Sequence, residues 1–246
     1  MSLNYDALDR VLRDAPTQPG DTVLPHSRLL GFDTETTGTR PGSDAIVSAT
    51  LVLRDPATGY TGDTVAEWII NPHRPMNPRA SEVNGFTDDY LAEHGVEPGE
   101  ALGQIAEAID LARRANIPLL AYNAPFDVHM LAADLKRWGL DGMADPLVVD
   151  PLVIDRAVSH RSGKRTLAYT TEYYGIEPHG DFHNATADTT AAVDLITPMS
   201  TLYPQVGRLD LDGLMAWQRD AHEQWRKSFN AWLAQRGRRP VTDRWL

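Results

Sequence analysis

Leu29-Leu30-Gly31-Phe32-Asp33-Thr34-Glu35-Thr36-Thr37-Gly38 is the stretch on which the fold turns. On a strand, residues two apart share a face about 7 Å from one another. Asp33 and Glu35 therefore project together, while Leu30, Phe32 and Thr34 face a core. Gly31, on the same face as the acids, leaves room beside them. The Thr36-Thr37-Gly38 end brings backbone amides close enough to meet a ligand. Taken alone, an Asp-x-Glu pair is more often a solvated strand end than a metal site, because acids tend to sit exposed. Outward from this strand (29–35), residues 45–53 read as a second strand. The Asp55–Gly59 turn leads from it to a third at 64–71, an antiparallel meander.

The chain has 246 residues, 42% of them hydrophobic, enough for one generous core. It contains no cysteine, so disulfides and thiolate metal sites are excluded, and any metal must be held by oxygen or imidazole. That donor chemistry suits hard cations. The formal net charge of −11 argues against a large nonspecific nucleic-acid surface. It does not argue against a small deep site whose local positive charge comes from bound cations. No run approaches the roughly 18 uninterrupted apolar residues a membrane span needs, and the amino terminus lacks a basic-then-apolar leader. The expectation is a soluble, cytoplasmic protein with no membrane association.

Asn4 is placed to cap a short helix whose Tyr5, Leu8, Val11 and Leu12 fall on one face. After the meander, 72–99 reads as irregular with short helical pieces. A helix at 100–115 leads into a strand at 118–122, followed by a helix at 125–138 and a strand at 147–149. Helices at 167–174 and 186–202 complete the pattern, with Pro198 forcing a kink or stop in the last. A meander followed by alternating α and β segments predicts an α/β fold with a mixed sheet and helices on both faces. From 211 to 233, Leu214, Trp217, Trp225 and Trp232 recur near heptad spacing, a long amphipathic helix expected to lie on the rest of the fold. The organisation expected is a helical appendage at 1–25, a main domain at 26–205 and the long helix with its tail at 206–246.

Further acids join the first pair. Asp127 opens the helix after strand 118–122, behind the tight junction Asn123-Ala124-Pro125-Phe126. Asp188 lies early in the helix after residue 185, where an acid also complements the helix dipole. His183 precedes it by five residues, about 140° apart on a continuous helix. If the two share a site, His183 must come from a loop, which Gly180, Asp181 and Asn184 favour.

Three motifs in this order, Phe32-Asp33-Thr34-Glu35-Thr36-Thr37-Gly38, Asn123-x-x-Phe126-Asp127 and His183-x-x-x-x-Asp188, carry a resemblance. Over roughly residues 29–202 the chain resembles the DEDDh 3′→5′ exonucleases, which have the RNase H-like fold. They include the epsilon proofreading subunit of bacterial DNA polymerase III, ribonuclease T and oligoribonuclease. The resemblance implies a mixed five-stranded sheet and two divalent cations, Mg²⁺ or Mn²⁺. Asp33 would bridge both, Glu35 and Asp188 would complete the first site, and Asp127 would hold the second. It makes His183 the general base. It also implies that Glu35 and the backbone around Thr34, Thr36 and Thr37 hold the terminal 3′-hydroxyl. Asn123 and Phe126 would line the nucleotide pocket, and the 80–87 segment, with Asn84 and Phe86, would contact the terminal base. Many relatives have histidine at Asn84 and an acid at Ser48.

The function expected is release of nucleoside 5′-monophosphates from the 3′ end of a nucleic acid, with DNA favoured over RNA. The alternatives are an RNA-directed enzyme of ribonuclease T or oligoribonuclease type, and an inactive RNase H-like binding module. Arg156, Arg161, Lys164 and Arg165 are either phosphate contacts or an ordinary solvated surface. Gln224-Trp225-Arg226-Lys227-Ser228-Phe229 is similar to the motifs by which polymerase subunits bind a sliding clamp, but it reads as mid-helix whereas those dock extended.

Overall fold

The structure, a computed structural model, describes residues 4–177 and 185–246. Helix α1 (Tyr5–Arg13) leads through a Pro/Gly-bearing stretch to β1 (Leu29–Thr36), β2 (Ile46–Arg54) and β3 (Thr64–Ile69). Then come α2 (Pro78–Asn84), α3 (Asp88–His94), α4 (Pro98–Arg114), β4 (Leu119–Leu120), α5 (Pro125–Arg137), β5 (Val148–Val149) and α6 (Pro151–Val158). The chain finishes with α7 (Leu167–Tyr174), α8 (Ala185–Asp194), α9 (Ile196–Leu202), α10 (Pro204–Gly207) and α11 (Leu214–Ala234). Pro78, Pro98, Pro125, Pro151 and Pro204 each stand at the first position of a helix. There the missing amide costs nothing and the ring presets the backbone.

The five strands form one sheet in the order β3-β2-β1-β4-β5. β1, β2 and β3 pair antiparallel, and β4 and β5 join β1 in parallel, which is the mixed sheet expected. Leu30 and Phe32 of β1, Ala49 and Leu51 of β2 and Trp68 of β3 build one core with α1, α4 and α5. Leu120 and Val149 build a second with α6, α8 and α9. Helices thus cover both faces.

The segment boundaries correct several expectations. Asn4 stands at the cap of α1 but in the left-handed region, φ 66°, and its side chain makes no capping bond. Its carbonyl takes the Ala7 and Leu8 amides instead. Leu8 and Leu12 are buried, whereas Val11 lies off their line and is exposed. The 186–202 helix is two helices meeting at Leu195. The break is the stop expected of Pro198, which falls in the first turn of α9, where its missing amide costs nothing, four residues after the end of α8 at Asp194. The Gln224–Phe229 segment, by contrast, is helical as expected, within α11.

Helix α11 lies along α6 and β5. Its buried Gln218 completes the sheet edge: the side-chain oxygen accepts the Asp150 amide at 2.7 Å, and the nitrogen donates to the Val148 carbonyl at 2.7 Å. One glutamine thereby answers the backbone of an edge strand that would otherwise stay open. No described helix is long and apolar enough to cross a membrane.

Candidate active site

The acids of β1 sit where the strand leaves the sheet. Asp33 pairs across with Thr50 and Glu35 with Ser48, and the register slips at Glu35/Thr36. On this face α8 crosses β1 and β2. Gly31 lets it approach: a Cβ there would come within 2.7 Å of the methyls of Thr189 and Val193. The room foreseen beside the acids is thus filled by the helix that carries Asp188. Carboxylate oxygens of Asp33, Glu35 and Asp188 consequently lie within 4.8 Å of one another.

A row of polar groups on the same face fixes the start of α8. Asp33, Thr50 and Glu67 are opposite one another on β1, β2 and β3. The Thr186 hydroxyl donates to Glu67 and stands 3.1 Å from the Thr50 hydroxyl. Glu67 thereby holds the turn that presents Asp188. It was missed in the sequence, where its only signal is an acid on the open face of a meander strand.

Asp127 arrives from the other side of β1. Its carboxylate accepts the Thr34 hydroxyl at 2.7 Å and is buried. The junction before it is set by Asp150, whose two oxygens accept the Asn123 amide at 3.0 Å and the Ala124 amide at 3.1 Å. Asp150 also accepts the Leu152 amide, capping α6, and the Trp245 indole at 3.1 Å. Asn123 takes φ 67°, a left-handed turn that asparagine tolerates. Neither Asp150 nor α6 was foreseen, although Asp150-Pro151 is a helix-start signal.

Burial pushes Asp33 well above the usual carboxylate range, and Asp127, Glu35 and Asp188 push it the same way. Glu35 is raised to about 7 by burial and by Asp188. Asp127 is raised to about 7, also by burial. The charged groups acting on Asp33 are all carboxylates, a donor set suited to a hard divalent cation. Raised carboxyls favour the protonated fold. Without metal, their contribution to stability is therefore complete below the unfolded values near 4 and lost as pH rises through about 7. A bound cation reverses the preference by competing with protons. Mg²⁺ or Mn²⁺ should accordingly raise the calorimetric unfolding temperature more at pH 8 than at pH 6. An equal gain at both would remove these carboxylates as the ligands.

The Thr34, Thr36 and Thr37 hydroxyls are engaged internally, with Asp127, the Gly38 carbonyl and the Ala45 amide. What these residues can offer a substrate is backbone. Asn84 closes the site from α2, donating to the Thr36 carbonyl at 3.2 Å and to Glu35. Phe86 follows, half-buried against Tyr90. Asn123 and Phe126 line a cleft of about 680 Å³ with Arg156, Trp225 and Trp245. His183 lies outside the described residues.

The basic cluster divides. Arg161 and Arg165 both pair with the fully buried Asp155, which also accepts the Tyr174 hydroxyl at 3.0 Å. They hold α6, the following loop and α7 together. Lys164 stands by the Tyr169 ring, and Arg156 faces the cleft.

Comparison with known proteins agrees with this geometry. Residues 30–196 match the RNase T family model, described as an exonuclease. A DNA polymerase III subunit epsilon-like protein from Rhodobacter capsulatus is 29% identical over 194 residues, 77% of this chain and 26% of its own length. The PolC-type DNA polymerase III of Streptococcus pneumoniae is 28% identical over 127 residues, 51% of this chain and 8% of that protein. The chain thus spans well under a third of either relative. Among solved structures, E. coli exonuclease I in complex with a dA16 oligonucleotide superposes with a TM-score of 0.59 at 20% identity. The likeness covers 73% of this chain and 42% of that one, and it shows the shared fold. With two thirds of its length matched by that model, on the β1 acids and the helices that meet them, the chain belongs to the RNase T family of exonucleases.

Proposed function

We propose that this protein is a metal-dependent 3′→5′ exonuclease that removes nucleoside 5′-monophosphates from single-stranded DNA. The observation that carries the proposal is the convergence of Asp33, Glu35 and Asp188 within 4.8 Å, in a member of an exonuclease family. DNA is preferred over RNA because the relatives are DNA polymerase III proteins and the matched exonuclease I was solved with a DNA oligonucleotide. The catalytic unit is residues 26–205, with 1–25 and 206–246 supporting it.

Asp33, Glu35 and Asp188, with Asp127 beside them, would hold two divalent cations, Mg²⁺ or Mn²⁺, whose chemistry is to polarise the phosphate and stabilise the leaving oxygen. The chain supplies the rest. Glu35 and the backbone of Thr34 and Thr36 hold the terminal 3′-hydroxyl, which makes the enzyme read an end. Asn123 and Phe126 flank the terminal nucleotide. His183 takes a proton from the attacking water at its imidazole, a task suited to a group that titrates near neutrality. A bond forms from the water oxygen to phosphorus, and the bond from phosphorus to O3′ of the penultimate nucleotide breaks. That oxygen collects a proton and becomes the new 3′ end.

Strands labelled at either end, as DNA and as RNA, with Mg²⁺ should decide the matter. A 3′ label should leave at once as mononucleotide, and a 5′ label should pass down a ladder of shortening strands. Internal nicking, or no mononucleotide from any strand with Mg²⁺ or Mn²⁺, would overturn the proposal.

A further inference from the structure

The long carboxyl-terminal helix carries more aromatic surface than its burial uses. Leu214 is fully buried and Trp217 packs against the second core, but further along Trp225, Phe229 and Trp232 form a stacked row. Their centroids are 5.2 and 5.6 Å apart, with planes within 14° and 12°. Trp232 remains 41% exposed. At the start of the row, the Arg156 guanidinium of α6 lies 3.8 Å over the Trp225 ring. Arg156 and Trp225 line both the cleft that holds Asn123 and Phe126 and a second cleft of about 530 Å³ that holds Gln224 and Ser228.

Arg156 differs from Arg161, Arg165 and Arg226 around it. Arg161 and Arg165 are spent on Asp155, and Arg226 on Glu223 at 2.7 Å. Among the described residues Arg156 makes no salt bridge and no side-chain hydrogen bond; it stacks on the Trp225 ring, with Asp150 and Asp155 acting on it at longer range. A guanidinium presents up to five N–H donors in a planar fork suited to phosphate. An aromatic ring beneath fixes its plane and leaves those edges free. On a chain of net charge −11, such a group is the local exception an anion needs.

We propose that Arg156, supported by Trp225, is a second binding subsite that takes a backbone phosphate of the single strand lying 5′ of the terminal nucleotide, with the Trp225–Phe229–Trp232 row flanking its bases. Two features commit the cleft to this occupant. It is continuous with the residues proposed to flank the terminal nucleotide, and it sets a guanidinium on an indole, the pairing of cation and ring that single-strand grooves use. The subsite rests on the proposed exonuclease reading for its direction, and it makes the enzyme favour strands over dinucleotides.

The test uses the full chain with Arg156→Gln and Arg156→Lys, on a thymidine strand of about fifteen nucleotides and on a thymidine dinucleotide. Arg156→Gln should raise KM for the long strand about tenfold, the loss of one charge-assisted contact. It should leave dinucleotide hydrolysis within about twofold and flatten the salt dependence of strand binding by about 0.7 in logarithmic slope. Arg156→Lys should retain most of that slope. Equal losses on both substrates, or an unchanged KM and slope, would overturn the subsite.

Fluorescence anisotropy of the same strand in EDTA separates the two proposals. Arg156-dependent binding by a protein that hydrolyses nothing keeps the subsite and sinks the exonuclease reading. Hydrolysis with no dependence on Arg156 does the reverse. If inorganic phosphate or an acidic peptide binds at Arg156 and the strand does not, the occupant assigned here is wrong.

Discussion

Replacing Asp33 by Asn is expected to cut Mg²⁺-dependent release of mononucleotides by roughly a thousandfold or more, while raising the unfolding temperature of the metal-free protein. The first half follows from the site. Asp33 lies among the other carboxylates, and losing its charge removes a ligand whose role in charge stabilisation is worth several kcal/mol, about three powers of ten. The second half follows from the electrostatics. Without a cation, burial and then Asp127, Glu35 and Asp188 all act against a charged Asp33. Asparagine has nearly the same shape and no charge, so the fold sheds repulsion it tolerates only for function. The two readings move in opposite directions, and a merely structural aspartate would not produce that. The variant should also lose most of the metal-induced gain in unfolding temperature at pH 8. Digestion at the wild-type rate, or a metal-free variant less stable than wild type, would remove Asp33 from the metal site.

Where local chemistry decides structure, the elements were legible. The period-two alternation of 29–35 placed both acids on one face because β1 is a central strand with a core on its other side. Residues 167–174 match α7, and the meander and mixed sheet followed from the segment order. What escaped depends on distant partners. Strands 118–122 and 147–149 shrink to two residues each, Leu119–Leu120 and Val148–Val149, with Pro118, Ala121 and Leu147 adding single backbone bonds at their ends. Gly31 looked like open space and is instead the contact that admits α8. The four basic residues between 156 and 165 look alike in sequence. A buried aspartate on α6 separates the two that hold the fold from the one that faces the cleft. Glu67 carries no motif, and Asp150-Pro151 signals only a helix start, since the importance of both acids lies in backbone and hydroxyl groups brought from far along the chain.

Asp150→Asn should be the most damaging substitution outside the carboxylate cluster, costing about 2–5 kcal/mol of stability by the price of leaving buried donors unmatched. Its carboxylate is 1% exposed and serves four donors, the Asn123, Ala124 and Leu152 amides and the Trp245 indole. Burial raises its pKa, while these bonds pull the other way, so the charged form is held by donors alone. An asparagine keeps one acceptor and turns an NH₂ toward the donors on the other side, so two of the four lose their partner and meet a donor. The consequence reaches the chemistry, because Asn123 and Ala124 form the junction from which Asp127 is presented. Activity per folded molecule, assayed well below the unfolding transition, should fall about tenfold, as for groups that orient metal ligands. Urea denaturation of Asp150→Asn, Trp245→Phe and the double variant gives the control. Trp245→Phe alone should cost about 1 kcal/mol, one hydrogen bond. The double variant should cost less than the sum, because both changes break the same indole-to-carboxylate contact. Strict additivity would mean that Trp245 and Asp150 act separately. An Asp150→Asn protein with wild-type stability and rate would mean that the junction is held by the fold around it and that the four donors do not depend on the charge.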